Sequence, residues 1–298
     1  MQPKKLVQFD WAIKILLRRK ANFGILEGFL SELLKTDVKI TSLLESESNK
    51  EHSKDKSNRV DVLAQLSHGE RVIIEVQCER EWDFISRMLY GVSKVVVEHL
   101  QEGDAYGMIP RIISVNIVYF DLGQGEDYIY HGTTQFEGIH KKDILQLKES
   151  EQKNYPSRID RIGQILPEYY VLKVSGFDLK IKDTLDEWVY TLKESEVKPE
   201  FKAKGIHEAA NTLAVLNLSD EERFAYDRHI GDMRISKSTA QTYFGDGLNE
   251  GIAQGMAQGM AQGKAEIVNN MHQLGLSITD IAKFVKLSEA YVQKILQS

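Results

Sequence analysis

Arg59-Val60-Asp61-Val62-Leu63 and Arg71-Val72-Ile73-Ile74-Glu75-Val76-Gln77, joined through Ser67-His68-Gly69, decide how this chain folds. Both runs alternate or run apolar in the manner of short strands, and Ser67-His68-Gly69 between them reads as a hairpin turn. Asp61 then belongs to one strand, and Glu75 and Gln77 to its neighbour. Glu75 and Gln77 are two positions apart and project from the same face, because strand side chains alternate with period two. Glu75 lies inside Val72-Ile73-Ile74-Glu75-Val76, where a charge is partly buried and needs a partner.

Reading outward, residues 9–19 form an amphipathic pattern with Phe9, Ala12, Ile13, Leu16 and Leu17 on one face. Asp10 near its start and Arg18-Arg19-Lys20 near its end suit the helix dipole. A second helix is predicted over about 22–35 and a strand over 38–44. Ser46 to Asn58 is polar and charged, and is read as a mobile loop or a strand end with a flexible connection. After the hairpin, a helix over about 82–101 is expected to face Trp82, Ile85, Met88, Leu89, Val92, Val95 and Val96 inward. Residues 111–120 are almost wholly apolar, as a strand buried on both faces must be. Residues 128–130 and 169–174 are shorter strand candidates. Helix, hairpin, helix and buried strand in this order make an α/β plan around a central mixed sheet flanked by helices.

From about Leu179 the pattern turns helical, with a stripe of Leu185, Trp188, Val189 and Leu192 and further segments at 203–217 and 220–232. Glycines then recur every four residues at Gly247, Gly251, Gly255, Gly259 and Gly263. In a helix this spacing keeps small residues along one slowly drifting line, which permits close helix–helix approach. Each glycine also costs up to ~1 kcal/mol of helix stability. The segment therefore reads either as a spacer of fluctuating helicity or as a packed, self-associating helix. Beyond it, Ser277 and Ser288 are N-cap candidates for two short helices, the first with Asp280 three residues on. Such a pair reads as a helix-turn-helix or as a plain packing unit. In the DNA-reading version Lys286, Gln293 and Lys294 are the contacts. The expected organisation is a core over 1–195, a helical region over 196–245, the Gly-repeat helix or spacer over 246–266, and the helix pair over 267–298.

Composition narrows the chemistry. The net charge of −6 argues against a general polyanion-binding surface, although local patches stay possible. The single cysteine, Cys78, excludes an intrachain disulfide and a cysteine-based zinc site, and fits a reducing cytoplasm. No apolar run approaches the ~20 residues of a membrane helix. No signal-peptide core follows the charged start, so a cytoplasmic protein is expected. The histidines are scattered without zinc-site spacing, and no Gly-x-x-x-x-Gly-Lys loop is present.

An aspartate beside a Glu-x-Gln pair at a hairpin edge offers oxygen ligands to a hard divalent cation. In-line phosphodiester hydrolysis needs an activated water and positive charge near the leaving oxygen, and metals held by carboxylates supply both. Asp61 and Glu75 are the side-chain ligands in this reading, and the Val76 backbone carbonyl is a third. Gln77 stands where a lysine often orients the water, and its amide holds water without bringing charge. Arg87 and Lys14 are candidates for the missing charge, with Lys14 also a candidate DNA contact. Glu27 is a candidate extra ligand. Lys14 and Glu27 also fit as ordinary charges on the solvated faces of amphipathic helices.

With these residues in view, the first ~200 positions resemble the PD-(D/E)XK nuclease-family transposases, the recombination-promoting nuclease group. The resemblance rests on Phe9-Asp10 with Lys14, the Asp61 strand, Ile74-Glu75-Val76-Gln77, and Arg87 with Tyr90. It continues with Gly103 and Tyr106 before Pro110, the strand 111–120 and the glycine repeat of 247–263. It implies a restriction-endonuclease-like core and magnesium-dependent DNA cleavage (manganese substituting) that promotes recombination. Asp61 and Glu75 become metal ligands and Gln77 takes the lysine's place. Val60 stands where that motif has proline. The rival reading is a weak or inactive DNA-binding or assembly protein of mobile-element origin, in which Gln77 records lost activity.

Overall fold

The computed structural model describes residues 6–15, 17–44, 61–100, 104–153, 155 and 162–297, with the backbone alone at 216. Leu16, the polar stretch 46–58, Arg59, Val60 and Gly103 lie outside the described residues. The described chain divides into two compact units, Met1–Tyr226 and Asp227–Ser298.

The first unit is built on a six-stranded sheet. Its elements are α1 (Phe9–Ile15), α2 (Phe23–Leu34), β1 (Ile40–Leu44), β2 (Val62–Leu66), β3 (Arg71–Gln77), α3 (Phe84–His99), β4 (Ile112–Val118), β5 (Ile129–Gly132), α4 (Glu149–Gln152), β6 (Glu168–Lys173), α5 (Thr184–Glu194) and α6 (Ile206–Thr212). The strand order is β1-β2-β3-β4-β6-β5. β1, β2 and β3 pair antiparallel, β4 runs parallel to both β3 and β6, and β5 closes the edge antiparallel to β6. The parallel step from β3 to β4 requires a crossover, and α3 supplies it. All seven residues of β4 are buried, as its unbroken apolar run demands. This mixed sheet with flanking helices is a restriction-endonuclease-like α/β fold, as the sequence predicts.

α3 covers one face of the sheet. Val92 and Val95 pack with Leu63, Ile73 and Ile112, and Phe84 and Met88 pack with Val118 and Phe120. The inward stripe is Phe84, Met88, Val92 and Val95. Trp82, Ile85 and Leu89, expected inside, are exposed. Ile85 and Leu89 each follow an inward residue by one position, about 100° round the helix, and Trp82 precedes the first turn. α1 packs against β3, and edge-to-face contacts run from Phe9 to Phe29 and from Phe29 to Trp188, joining α1, α2 and α5. α1 stops at Ile15 rather than 19, with the Leu17 N–H donating to the Ala12 carbonyl at 2.9 Å.

The segment before α6 crosses α2 closely. Lys204 N–H donates to Glu32, and the Lys204 carbonyl accepts from Trp188 Nε1 at 3.2 Å. Gly28 is the point of closest approach, since a Cβ there would collide with the Lys204 carbonyl.

α7 (Asp220–Gln273) continues from the first unit into the second. The glycine repeat therefore lies within one helix, and nothing among the described residues stands within 4 Å of a Cβ built at any of the five glycines. Within the second unit, α8 (Ile278–Val285) and α9 (Glu289–Leu296) pack on α7 through Val268, Ile281, Ala282 and Val292. Ser277 and Ser288 cap them as predicted, accepting from the Asp280 and Tyr291 N–H groups. Lys286 ends α8 in the left-handed region, at φ 55°, where glycine is easiest.

These two glycine environments predict opposite responses. Gly28→Ala should destabilise the first unit by about 1–3 kcal/mol, the usual cost of overpacking. Gly255→Ala, in open space, should stabilise α7 by up to about 1 kcal/mol. Urea denaturation followed by far-ultraviolet circular dichroism reads both, and equal effects of the two would contradict the close approach of α2 to Lys204.

Candidate active site

The site forms where β2 ends and β3 continues. The ladder closes with Val62 opposite Ile74, so Asp61, one residue ahead of β2, arrives beside Glu75. Asp61 Oδ2 accepts the Val76 N–H at 2.8 Å. Arg71 N–H donates to Arg111 and the Gln77 carbonyl accepts from Tyr119, so the odd-numbered residues of β3 bond toward β4. Val76 therefore turns both its N–H and its carbonyl to the β2 edge, where the Asp61 carboxylate sits.

Glu75 is 8% exposed and ion-paired with Arg87 from α3. Arg87 Nη1 also reaches both oxygens of Glu81, at 2.8 and 2.9 Å. Gln77 shares the α3 face with Glu75, and both its amide hydrogens are engaged. Nε2 donates to the Glu79 carbonyl at 3.1 Å and to Glu81 Oε1 at 2.9 Å. Both partners only accept, so the amide has one sensible orientation. Oε1 is left facing the Arg87 guanidinium at a long 3.4 Å, with acceptor capacity to spare. On the other side of Asp61, Lys14 from α1 stands 3.6 Å from Oδ1.

Burial dominates the electrostatics. It raises the Asp61 carboxyl above its ordinary range, while the Val76 N–H, Lys14 and Arg87 pull it down without cancelling the effect. Burial also raises Glu75, opposed by Arg87 and reinforced by the Asp61 charge. Arg87 moves the other way: burial works against its charge, but Glu75 and Glu81 more than offset this and raise it. Cys78, next along the chain, is pushed up to about 12 by burial and by Asp10. A thiol so held is not a nucleophile.

Glu27 is not brought to this cluster. Its carboxylate accepts the Ile40 N–H at 2.8 Å and pairs with Lys39 at 3.0 Å. Ile40 faces Leu66, at the far end of β2 and about 16 Å along the strand from Asp61 at ~3.3 Å per residue. Lys286, Gln293 and Lys294 belong to the second unit, where all three are exposed.

The cluster of Lys14, Asp61, Glu75, Gln77, Glu81 and Arg87 falls inside the stretch 7–159, which matches the family model described as PD-(D/E)XK nuclease family transposase. The chain belongs to that family. No curated protein and no solved structure matches it. In this cluster the oxygens available to a hard cation are those of Asp61 and Glu75 with the Val76 carbonyl. Among the described residues no group of three or more histidine, cysteine, aspartate or glutamate side chains gathers for a metal. Such a set suits a cation that keeps several waters, as magnesium does. It fits on charge as well, since a buried and a half-buried carboxylate side by side, both with raised affinity for protons, lack positive charge.

Glu81 is the residue that sequence reasoning missed. It lies in the loop between β3 and α3, where no periodicity assigns direction. The only signal was a charged run, Glu79-Arg80-Glu81, directly after the motif strand.

The raised carboxyls predict a stability profile. The native state binds protons at Asp61 and Glu75 more tightly than the unfolded chain does. Stability from this source is full below about pH 4 and is lost as pH rises through the higher native values. Asp61→Asn keeps an acceptor for the Val76 N–H and removes the charge. It should raise the thermal midpoint at pH 7, with the gain shrinking toward pH 4. Melting curves between pH 4 and 8 in chelator check this, and an unchanged or lower midpoint at pH 7 contradicts it.

Proposed function

We propose that this protein is a magnesium-dependent DNA endonuclease that hydrolyses phosphodiester bonds and promotes recombination. The observation that carries the reading is the convergence of Asp61, Glu75 and the Val76 carbonyl where β2 begins beside β3, next to an amide whose hydrogens are already committed. A divalent cation held by these oxygens supplies Lewis-acid charge next to the scissile phosphate. Manganese serves in its place.

The chain's own residues do the rest. Gln77 Oε1 accepts a hydrogen from the attacking water and so turns a lone pair of that water toward phosphorus. Glu81 keeps the amide in that orientation by holding Nε2 and clasping Arg87. Arg87 and Lys14 supply the positive charge that a lysine at position 77 would bring. Both already neighbour the carboxylates, at Glu75 and Asp61 respectively. Lys286, Gln293 and Lys294 are proposed as further DNA contacts. Self-association through α7 belongs to the same reading, supported by the exposed row Leu248, Ile252, Met256 and Met260 beside the glycines. No helix among the described residues is long and apolar enough to cross a membrane. Cytoplasmic action is inferred from the single cysteine.

The Arg87–Glu75 ion pair also supports the rival, a DNA-binding or assembly protein whose ligand carboxylate is permanently occupied. Supercoiled plasmid separates the two. Nicking that needs magnesium or manganese, stops with chelator and disappears in Asp61→Ala supports the endonuclease. Binding without cleavage under every metal supports the rival. In the active case Gln77→Ala should slow cleavage on the order of 10–1000-fold, as for loss of one preorganised group. An undiminished rate would remove Gln77 from the mechanism.

A further inference from the structure

The loop that locks Gln77 also displays a second feature, on its opposite side. The Glu79 carbonyl and the Glu81 side chain turn in toward Gln77, while Arg80 and Trp82 turn out. Trp82 is 91% exposed, whereas the other two tryptophans, Trp11 and Trp188, are 4% and 0% exposed. Leaving an indole in water forgoes one of the largest gains a side chain can make on burial. Arg80 lies over the Trp82 ring, 4.5 Å from its centroid, and has no carboxylate partner among the described residues. A flat apolar ring and an uncompensated cation thus stand together, tied through Glu81 to the residue proposed to position the water.

We propose that Trp82 and Arg80 form a stacking site for an unpaired nucleobase next to the bond that is cut. The exposed indole face takes the base, and the guanidinium lies at the flanking phosphate. A stacked duplex cannot present a base face in this way, so the site favours single-stranded, frayed or flipped substrate. The substrate class depends on the nuclease reading above. The stacking itself does not depend on cleavage.

The burial of Trp11 and Trp188 makes the test direct, because quenching of long-wavelength tryptophan emission reports Trp82. Full-length protein in chelator is titrated with a 12-nucleotide single strand and with a blunt duplex of the same sequence, and binding is followed in parallel by anisotropy. The expected result is quenching by the single strand and much less by the duplex at equal occupancy. Trp82→Ala should weaken single-strand binding about 5- to 100-fold, the range for loss of one stacked base, and leave duplex binding within about 2-fold. Trp82→Phe should recover part of the affinity without the emission signal. Equal single-strand affinity in Trp82→Ala, or equal quenching by both DNAs, would overturn the proposal. So would a loss of self-association in Trp82→Ala with unchanged DNA binding, since the exposed Ile85 and Leu89 would then mark a protein contact. Asp61→Asn run alongside keeps the two claims apart: cleavage that survives it refutes the assignment of the nuclease site to Asp61, and quenching that survives it leaves the stacking site standing.

Discussion

A carboxylate buried within a β-strand is the constraint on which the rest of this molecule depends. Glu75 stands in the central part of the sheet, with Ile74 and Val76 buried on either side of it. In that setting an ionised group must be met by opposite charge or give up its ionisation. β2 begins one residue past the position opposite it, and Asp61, at that position, adds a second carboxylate that accepts the Val76 N–H. Two negative groups side by side require cations from elsewhere. α1 sends Lys14 and α3 sends Arg87, so the helices on the sheet are fixed by charge as well as by apolar packing.

The same constraint explains the loop after β3. Arg87 answers Glu75 and has donors left over, which Glu81 takes up. Glu81 in turn fixes the Gln77 amide. A position that appears as the loss of a lysine in the sequence becomes one part of a hydrogen-bonded unit with Glu81 and Arg87. A lysine at 77 would meet that guanidinium at close range, which is a physical reason for an amide there.

Legibility in the sequence followed periodicity. The hairpin, the doubly buried β4 and the two serine caps were readable because alternation, continuous apolarity and capping each have a local cause. Asp61, Glu75, Gln77 and the Val76 carbonyl could be grouped because strand geometry fixes their direction. Where direction depends on tertiary packing, reading failed. Glu27 and Lys14 look alike as helix-borne charges, yet one holds the start of β1 and the other stands at Asp61. Trp82, Ile85 and Leu89 carry the right hydrophobicity but the wrong phase for the core, which only the observed start of α3 reveals. Glu81 sits where neither period applies.

The central claim is that Glu75 and Asp61 hold a divalent cation and that Arg87 gives up part of its contact with Glu75 when they do. Crystals grown with manganese, with diffraction recorded on the metal's anomalous edge, test this most directly. The account predicts an anomalous peak at coordination distance from both carboxylates and the Val76 carbonyl, with Arg87 retained on Glu81. Manganese bound elsewhere, or absent while Arg87 still covers Glu75, would contradict it.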